Sequence, residues 1–313
     1  MKRLLLIDGN AILHRAYHAY PPLNNPKGEE VSAVYGFFSM LLSVLQNLNP
    51  DYLVVCFDRS KPTIRQSMFA GYHAHRPQAT DGFISQIILV HDLLLKMNVS
   101  VFELEGYEAD DLIGTIATKT VKGKNNTEVI ILTGDRDMLQ LVNSHVRVLM
   151  PLVGITKTAL FDEEKVEEKY GVTPSQFIDY KALIGDPSDG YPGVTGIGPK
   201  GASKLLQEYK TFENLYKRVD DLPEKTGLML ATDAEQAALA KKLATIITDA
   251  PIQFDLKKCA CSGFDIKAIK EGFEEQAFHS LIKRLDTQFA GHERIEEEKP
   301  EKKTDEQLGL LEF

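Results

Sequence analysis

The sequence predicts an α/β fold in which a mostly parallel central sheet is flanked by helices and is followed by a smaller helical subdomain. In the first half of the chain, short apolar runs typical of buried strands alternate with longer segments of helical periodicity. Beyond about residue 162 the pattern becomes helical, with a glycine-rich interruption at residues 193–198. With 313 residues, 43% of them hydrophobic, the chain is long enough for one large and one smaller domain.

Five strands and three helices of the core follow from these patterns. We expect strands at residues 3–7, 52–57, 99–102, 128–132 and 146–150, and helices at residues 33–48, 83–97 and 109–121. The core is expected to span residues 1–170, and the helical subdomain residues 171–291. Residues 292–313 are charged and low in complexity, which predicts a disordered acidic tail.

The composition of the chain narrows the class of protein. No apolar run approaches the roughly 20 residues that a membrane span requires, and the three cysteines favour neither a disulfide framework nor a zinc site. We therefore expect a cytoplasmic protein without a membrane partner. The net charge of −9 at first argues against nucleic acid. Many of the acids lie in a few clusters and in the tail, however, which leaves a mildly basic body around an acidic pit.

Nine carboxylates in five groups form the strongest chemical signal in the sequence. Several directly follow predicted strands, and ligands of parallel sheets bind beyond the carboxyl ends of the strands. Taken one group at a time, acids at the start of a helix favour capping, and acids in a Gly-Asp-Pro-Ser-Asp-Gly segment favour a turn. The groups are Asp8, Asp58, Glu108 with Asp110 and Asp111, Asp135 with Asp137, and Asp186 with Asp189.

Taken together, the nine carboxylates predict a metal site. In one cleft they would repel one another strongly unless cations neutralised them. Oxygen ligands without histidine or cysteine select Mg²⁺ or Mn²⁺ over zinc. Two such ions suit phosphodiester hydrolysis, because one activates a water molecule and both stabilise charge on the leaving oxygen. The sequence therefore predicts a metal-dependent phosphodiesterase.

Five segments resemble the acidic motifs of the flap-endonuclease/5′-3′ exonuclease family, most closely those of the 5′-3′ exonuclease domain of bacterial DNA polymerase I. The resemblance runs in order from about residue 2 to 288 and implies a PIN-like nuclease core. The segments are Leu6-Ile7-Asp8-Gly9-Asn10, Phe57-Asp58, Gly106-Tyr107-Glu108-Ala109-Asp110-Asp111, Thr133-Gly134-Asp135-Arg136-Asp137-Met138-Leu139-Gln140-Leu141 and Gly185-Asp186-Pro187-Ser188-Asp189.

The resemblance also assigns the carboxylates to two metal ions. One departure from the family pattern is Gly190, where this branch usually has asparagine, and glycine would loosen the turn at the second ion. The resemblance implies that the first ion is served by Asp8, Asp58, Glu108, Asp110 and Asp111, and the second by Asp135, Asp137, Asp186 and Asp189.

Residues 59–82 resemble the helical arch or clamp that threads or cradles the 5′ strand in this family. The resemblance implies DNA contacts for Arg65 and Arg76, and for Tyr72 stacking on a base near the scissile phosphate. His73 stands where the branch usually has a lysine aimed at that phosphate, and a neutral histidine brings no full charge at pH 7. Tyr72, His73 and Arg76 are thus counted among the catalytic residues. By composition alone, a solvated surface loop is slightly favoured.

A glycine-rich segment at residues 192–202 resembles the family's helix-hairpin-helix, which holds the DNA backbone without reading its sequence. Glycines let the backbone approach a phosphate, and the following helix offers free N–H groups. In relatives such a hairpin can hold K⁺ through backbone carbonyls. An ordinary glycine-rich loop is the alternative; a dinucleotide fingerprint is disfavoured because a helix precedes the segment. The residues expected to contact DNA here are Gly193, Gly196, Gly198, Lys200 and Lys204.

The end of the tail resembles the short peptides by which replication enzymes attach to the sliding clamp. It reads Gln307-Leu308-Gly309-Leu310-Leu311-Glu312-Phe313. In that mode Gln307 hydrogen-bonds at the rim of a pocket, and Leu310 and Phe313 fill its apolar floor. The alternative is that this apolar cluster docks back on the protein's own body.

The resemblance implies a structure-specific 5′ nuclease, either a 5′-3′ exonuclease or a flap endonuclease. Its substrates would be DNA with a 5′ flap, nick or gap, or an RNA primer, in primer removal and repair. We expect a monomer in the bacterial cytoplasm, associated with the nucleoid. Two alternatives remain open: a PIN-like RNase, which would usually be shorter and lack the hairpin, and a non-catalytic DNA-end-binding module, in which we would expect carboxylates to be lost.

Overall fold

A six-stranded sheet forms the centre of the protein. The computed structural model describes residues 1–59, 62–123, 126–153 and 157–289. The strands are β1 (Lys2–Asp8), β2 (Tyr52–Cys56), β3 (Ser100–Phe102), β4 (Thr127–Leu132), β5 (Val146–Val153) and β6 (Lys157–Phe161). They are ordered β3-β2-β1-β4-β5-β6, and all neighbours run parallel except β5 and β6. The predicted fold class, a mostly parallel sheet flanked by helices, is confirmed.

Helices cover both faces of the sheet and form the helical part that follows it. A short antiparallel ribbon, β7 (Gly185–Asp186) with β8 (Tyr191–Pro192), lies within that helical part. The helices are α1 (Gly9–Ala19), α2 (Ser32–Leu48), α3 (Ile64–Met68), α4 (Asp81–Lys96), α5 (Ala109–Lys122), α6 (Glu163–Tyr170), α7 (Phe177–Ile184), α8 (Pro199–Tyr209), α9 (Phe212–Lys217), α10 (Glu224–Thr232), α11 (Ala234–Ala244), α12 (Ile266–Glu275) and α13 (His279–Phe289).

The five predicted strands and the three predicted helices of the core are present, with ends within a few residues of those expected. The sequence did not predict β6, which pairs antiparallel with β5 at the edge of the sheet. Its sequence, Lys-Thr-Ala-Leu-Phe, is only partly apolar, because an edge strand is covered less than a central one.

Residues of β1 alternate between the two faces of the sheet and so contribute to both halves of the core. Leu4 and Leu6 pack with α5 on one face, whereas Leu5 and Ile7 pack with α2 on the other. All four side chains are buried, as expected for a central parallel strand that is covered on both sides. The carboxyl ends of β1, β2 and β4 therefore meet at one protected edge of the sheet.

The structure corrects the predicted extent of the helical subdomain. After α11 the chain returns to the core, and α12 and α13 pack on α2 and α4 rather than on the other helices of the second half. The ring of Phe273 lies 5.1 Å from that of Phe38, and Arg284 donates to the carbonyl of Ser39. Helical periodicity reveals that a segment has an apolar face but not which surface covers it, so the packing of α12 and α13 on the core could not be predicted from the sequence.

Two further expectations concern a membrane span and the C-terminal tail. Within the residues described above, no helix combines the length and the apolar character that crossing a membrane requires. The predictions for residues 292–313, including the clamp-binding peptide, lie outside the described residues.

The packing of α12 on the core predicts a large stability cost for Phe273→Ala. Phe273 is fully buried, so its truncation should lower the free energy of unfolding by about 3–5 kcal/mol. Denaturant unfolding monitored by circular dichroism measures this value. The control is Leu228→Ala, at a side chain that is 67% exposed, which should stay within about 0.5 kcal/mol of the parent. A cost below about 1 kcal/mol for Phe273→Ala would contradict the packing.

Candidate active site

Asp8 and Asp58 stand where the two adjacent strands β1 and β2 end. Asp8 is buried and accepts hydrogen bonds from the backbone N–H of Ala11 (2.9 Å) and from Thr133 Oγ1 (2.7 Å). Asp58 accepts a hydrogen bond from the backbone N–H of Ala109 at 2.7 Å. Each carboxylate is thus oriented by a neighbouring element, Asp8 by α1 and the end of β4, and Asp58 by the start of α5.

Gly9 allows α1 to begin directly at Asp8. A Cβ atom at this position would lie 2.4 Å from the ring of Phe57, which is the residue before Asp58. Any larger residue would require the ring of Phe57 to move. The glycine of the Leu-Ile-Asp-Gly-Asn segment therefore allows α1 and the ring before Asp58 to lie in close contact.

The first turn of α5 carries Glu108, Asp110 and Asp111 to the same edge. Glu108 accepts hydrogen bonds from Thr63 Oγ1 (2.8 Å) and from Tyr72 OH (3.1 Å). The acids also satisfy the helix end, because Glu108 and Asp111 form a reciprocal capping box. The capping role and the placement of carboxylates in the cleft are therefore compatible.

Arg65 holds this turn in place. Its guanidinium donates to both oxygens of Asp111 (2.8 and 2.9 Å) and to Glu108 Oε2 (3.0 Å). The remaining N–H groups donate to the carbonyls of Leu243 and Thr245, both at 2.8 Å. The side chain is only 5% exposed and every guanidinium N–H is used. Burial lowers the pKa of Arg65, but the hydrogen bonds and charges of Asp111 and Glu108 outweigh it and raise the pKa overall.

Three residues that the sequence assigned to metal or DNA binding are engaged by contacts within the protein. Every N–H of Arg65 is used within the protein, and none is left for a DNA phosphate in this arrangement. Asp111 is almost completely buried, and its oxygens are occupied by Arg65 and by the backbone N–H of Ile247. Tyr72 is buried, donates to Glu108 and stacks on His73 at 3.9 Å between ring centroids, so its ring is not open to a DNA base. Sequence position after Asp58 could not reveal that this segment folds inward.

Asp8, Asp58, Asp110 and Asp135 form a group of like charges, in which Asp8 is buried, Asp110 and Asp135 are half-buried and Asp58 is exposed. Burial and then the charges of Asp58 and Asp135 raise the pKa of Asp8 to about 7. Burial and the charges of Asp135 and Asp8 raise the pKa of Asp110 well above its ordinary value. The pKa values of Asp58 and Asp135 are also raised. The charged forms of these carboxylates are thus less favoured than those of free carboxylates in water.

Asp135 belongs to both groups of carboxylates rather than to the second alone. Its backbone N–H donates to Thr133 Oγ1 (2.9 Å), the same hydroxyl that donates to Asp8. Its charge contributes to the raised pKa of Asp8, while the charges of Asp189 and Asp186 raise its own pKa. Asp135 therefore lies between the two groups of carboxylates that the sequence assigned to separate metal ions.

The second group consists of Asp137, Asp186 and Asp189, and in the described part of the chain it is the one triad whose ligand atoms lie within 4.8 Å of one another. Lys181 of α7 contacts Asp137 at 2.5 Å and also pairs with Asp186. Burial and the charge of Asp135 raise the pKa of Asp137 to about 8. Burial also acts to raise the pKa of Asp186, but the hydrogen bond and charge of Lys181 outweigh it and lower the pKa.

Lys181 was missed by sequence reasoning. Its signal is a lysine in the otherwise apolar end of a helix, five residues before Asp186 and only 6% exposed. A buried lysine requires an acidic partner, so its position next to an acidic turn could have indicated a pair.

Arg76 and His73 face the second group from the predicted arch. Arg76 Nη2 donates to Asp189 Oδ1 at 2.7 Å, and His73 Nε2 lies 3.2 Å from the same oxygen. The turn of Asp189 is tight rather than loose, because Gly190 has a φ of +81° and a Cβ there would lie 2.6 Å from the carbonyl oxygen of Gly71. Glycine at this position is thus required by the contact with the arch.

The donor sets fit divalent cations to different degrees. No ion pair within the described residues involves Asp8, Asp58, Asp110 or Asp135, although the charge of Arg76 acts to lower the pKa of Asp58 and that of Lys181 the pKa of Asp135. Such a set of oxygen donors fits a hard divalent ion. The second group offers the same donors, but Lys181, Arg76 and His73 already lie against them. A second ion would have to share or displace these contacts.

The predicted hairpin occupies the turn between β8 and α8. Gly193, Gly196 and Gly198 lie in it, and Gly198 directly precedes the first turn of α8. The turn is held by the hydrogen bond from Val194 N to Leu183 O (2.8 Å) and from Thr195 N to Asp233 (2.7 Å). Lys200 and Lys204 are exposed on α8, so their ammonium groups are available to a ligand.

Two family models match the chain. The 5′-3′ exonuclease N-terminal resolvase-like domain matches residues 3–171, and the 5′-3′ exonuclease C-terminal SAM fold matches residues 172–267. Curated relatives include DNA polymerase I of Bacillus caldotenax, 40% identical over 300 residues, and that of Bacillus subtilis, 39% identical over 285 residues. The matches cover 96% and 91% of this chain but only 33% and 32% of the relatives, so the chain spans about a third of their length.

Solved structures share the fold at low sequence identity. The bacteriophage T5 flap endonuclease in complex with DNA and metal ions has a TM-score of 0.65 at 18% identity and covers 93% of this chain and 100% of its own. Human GEN1 in complex with Holliday junction DNA has a TM-score of 0.62 at 13% identity, covering 95% and 75%. The catalytic core of Rad2 in complex with DNA substrate has a TM-score of 0.58 at 16% identity, covering 92% of each chain.

The two family models together span most of the described residues, and their order matches the core and the helical part of the structure. The acidic centre lies within the residues that they cover. The chain belongs to the 5′-3′ exonuclease family.

Proposed function

We propose that the chain is a structure-specific 5′ nuclease that hydrolyses phosphodiesters near the 5′ ends of flaps, nicks and gaps in DNA. The observation that carries the proposal is the group Asp8, Asp58, Asp110 and Asp135, in which carboxylates that form no ion pair within the described residues meet at the carboxyl edge of the sheet. Mg²⁺ is the ion proposed to bind there, and Mn²⁺ its substitute. The names of the relatives and of the solved structures, which are DNA enzymes, support the same substrate class.

The chain's own residues prepare the centre for this chemistry. Thr133 and the N–H of Ala109 orient Asp8 and Asp58, so the ligand oxygens are placed before any ion arrives. Arg65 fixes the first turn of α5 and with it Glu108. When bound, divalent ions would supply an activated water and stabilise charge on the leaving oxygen.

The second group is proposed to take an ion in exchange for its present contacts. Asp137 and Asp186 are bridged by Lys181, whose charge offsets theirs in the metal-free protein. We infer that Lys181 acts as a substitute cation here. Arg76, which is about half exposed, and His73 are proposed to turn from Asp189 towards the scissile phosphate when DNA binds.

The rest of the DNA is proposed to lie along the hairpin. Lys200 and Lys204 follow the turn at the start of α8 and would contact duplex phosphates together with free N–H groups of that helix. A K⁺ ion held by carbonyls of the turn remains part of this proposal.

The cellular setting is proposed from the resemblance and the relatives. We place the protein as a monomer at the nucleoid in the bacterial cytoplasm, in primer removal and repair. The peptide of Gln307, Leu310 and Phe313 would bind a sliding clamp, although these residues lie outside the described part of the chain.

Cleavage of a labelled 5′ flap tests the nuclease proposal. We expect Mg²⁺-dependent release of the flap and little cleavage of single-stranded RNA of the same length. Asp58→Asn should reduce the rate by far more than tenfold, where tenfold corresponds to a barrier increase of about 1.4 kcal/mol, because it removes a proposed metal ligand. Binding of the flap should persist or tighten, since a negative charge near phosphate is removed.

Each opposing outcome points to a different alternative. Preferential cleavage of the RNA would favour a PIN-like RNase. Tight flap binding without cleavage in any divalent ion would favour a DNA-end-binding module. A rate within about tenfold of the parent for Asp58→Asn would contradict the role of Asp58 as a metal ligand.

Arg65→Lys tests whether Arg65 positions carboxylates or holds DNA. A lysine cannot reproduce the paired hydrogen bonds to Asp111 and also reach the two carbonyls, so Glu108 should lose its fixed position. We expect kcat on the flap to fall at least about tenfold while KM changes little. The matched control is Arg284→Lys. Arg284 donates to Ser39, away from the site, so this substitution should leave kcat unchanged.

The opposite kinetic pattern would refute this role of Arg65. A raised KM with unchanged kcat would mean that Arg65 holds DNA after all. Thermal unfolding of both variants, measured before the kinetics, separates a loss of fold from a loss of positioning.

A further inference from the structure

His14 and His18 lie one turn apart on the exposed side of α1, outside the acidic centre. Their Nε2 atoms are 3.3 Å apart, and their ring centroids are 4.5 Å apart. Residues separated by four positions share one face of a helix, so both imidazoles project to the same side. Both residues are exposed, so solvent ions can reach them.

The separation of the two nitrogens matches that of ligands on one metal ion. Zinc binds histidine nitrogen at about 2.0–2.1 Å in tetrahedral sites, which places two ligand nitrogens about 3.3–3.4 Å apart. The observed 3.3 Å lies in that interval. A chelated ion would therefore require no change in the distance between the two nitrogens.

The rings are also held in position by aromatic neighbours. His14 packs edge-on against Phe83 of α4, with centroids 5.9 Å apart, and His18 packs against Tyr17 at 5.3 Å. Tyr17 in turn packs against Phe83 at 5.0 Å. Fixed rings lose less side-chain entropy on binding an ion than free surface histidines do.

The surroundings of His14 favour its neutral form. Partial burial, followed by the neighbouring charges of His18 and Arg76, lowers the pKa of His14. A neutral imidazole is the form that binds metals. The alternative is a hydrogen bond between two neutral rings, which accounts for the same distance without any ion.

We propose that His14 and His18 chelate one late first-row divalent ion, of which Zn²⁺ is the test case, at a site distinct from the carboxylates. Imidazole nitrogens prefer such ions, whereas Mg²⁺ prefers oxygen ligands, so the two sites select different metals. Two protein ligands leave the remaining coordination positions to water. This inference does not depend on the nuclease activity.

Calorimetric titration of the full chain with Zn²⁺, in excess Mg²⁺, tests the site. The parent should bind one more Zn²⁺ than His14→Ala or His18→Ala, and any Zn²⁺ taken by the carboxylates is common to all variants and cancels. The control His145→Ala, at an exposed histidine elsewhere, should bind like the parent.

A second control separates spacing from the number of histidines. The double variant His18→Ala/Ala19→His keeps two imidazoles on α1 but moves them five positions apart, so it should bind like His18→Ala. Equal Zn²⁺ binding by the parent and His18→Ala would overturn the proposal and leave the hydrogen bond as the explanation. Parent-like binding by the double variant would overturn it too, because chelation by the pair requires the original spacing.

Discussion

Repulsion among carboxylates at the carboxyl edge of the sheet is the constraint on which the site depends. Strand order brings Asp8, Asp58 and Asp135 to this edge, and α5 adds Asp110 from the side. Burial denies Asp8 the solvation that would otherwise stabilise its charge, and together with the charges of Asp58 and Asp135 it raises the pKa of Asp8 to about 7. A bound divalent cation would relieve this repulsion and would thereby stabilise the fold.

Other carboxylates near this edge form ion pairs with basic side chains of the protein. Arg65 neutralises Asp111 and Glu108 and also bonds to the carbonyls at the end of α11, so the metal centre and the helical part share one buried residue. Lys181 forms ion pairs with both Asp137 and Asp186. Arg65 and Lys181 thus pair with carboxylates beside them, whereas Asp8, Asp58, Asp110 and Asp135 form no ion pair within the described residues.

Sequence patterns predicted the parallel strands and the acids at their ends, because apolar runs and strand-end residues are local signals. They did not predict which acids would be captured by Arg65, because the pairing joins residues 46 positions apart in the chain. They also misplaced Tyr72, whose burial depends on how the arch folds against Glu108. Periodicity showed that α12 and α13 are amphipathic but not that they cover α2 and α4. Which surface a helix covers depends on contacts with residues distant in the chain.

The thermal stability of the protein as a function of pH, with and without divalent ions, tests the central claim most directly. Folding raises the pKa of Asp8 to about 7 and that of Asp137 to about 8. Their contribution to the free energy of unfolding is therefore fully favourable below about pH 4 and is lost as the pH rises through those values. In EDTA, Tm should fall between pH 5 and 8, the gain from Mg²⁺ should grow over the same range, and Asp110→Asn should flatten both trends. A Tm in EDTA that is constant over this range, with a gain from Mg²⁺ independent of pH, would contradict the account.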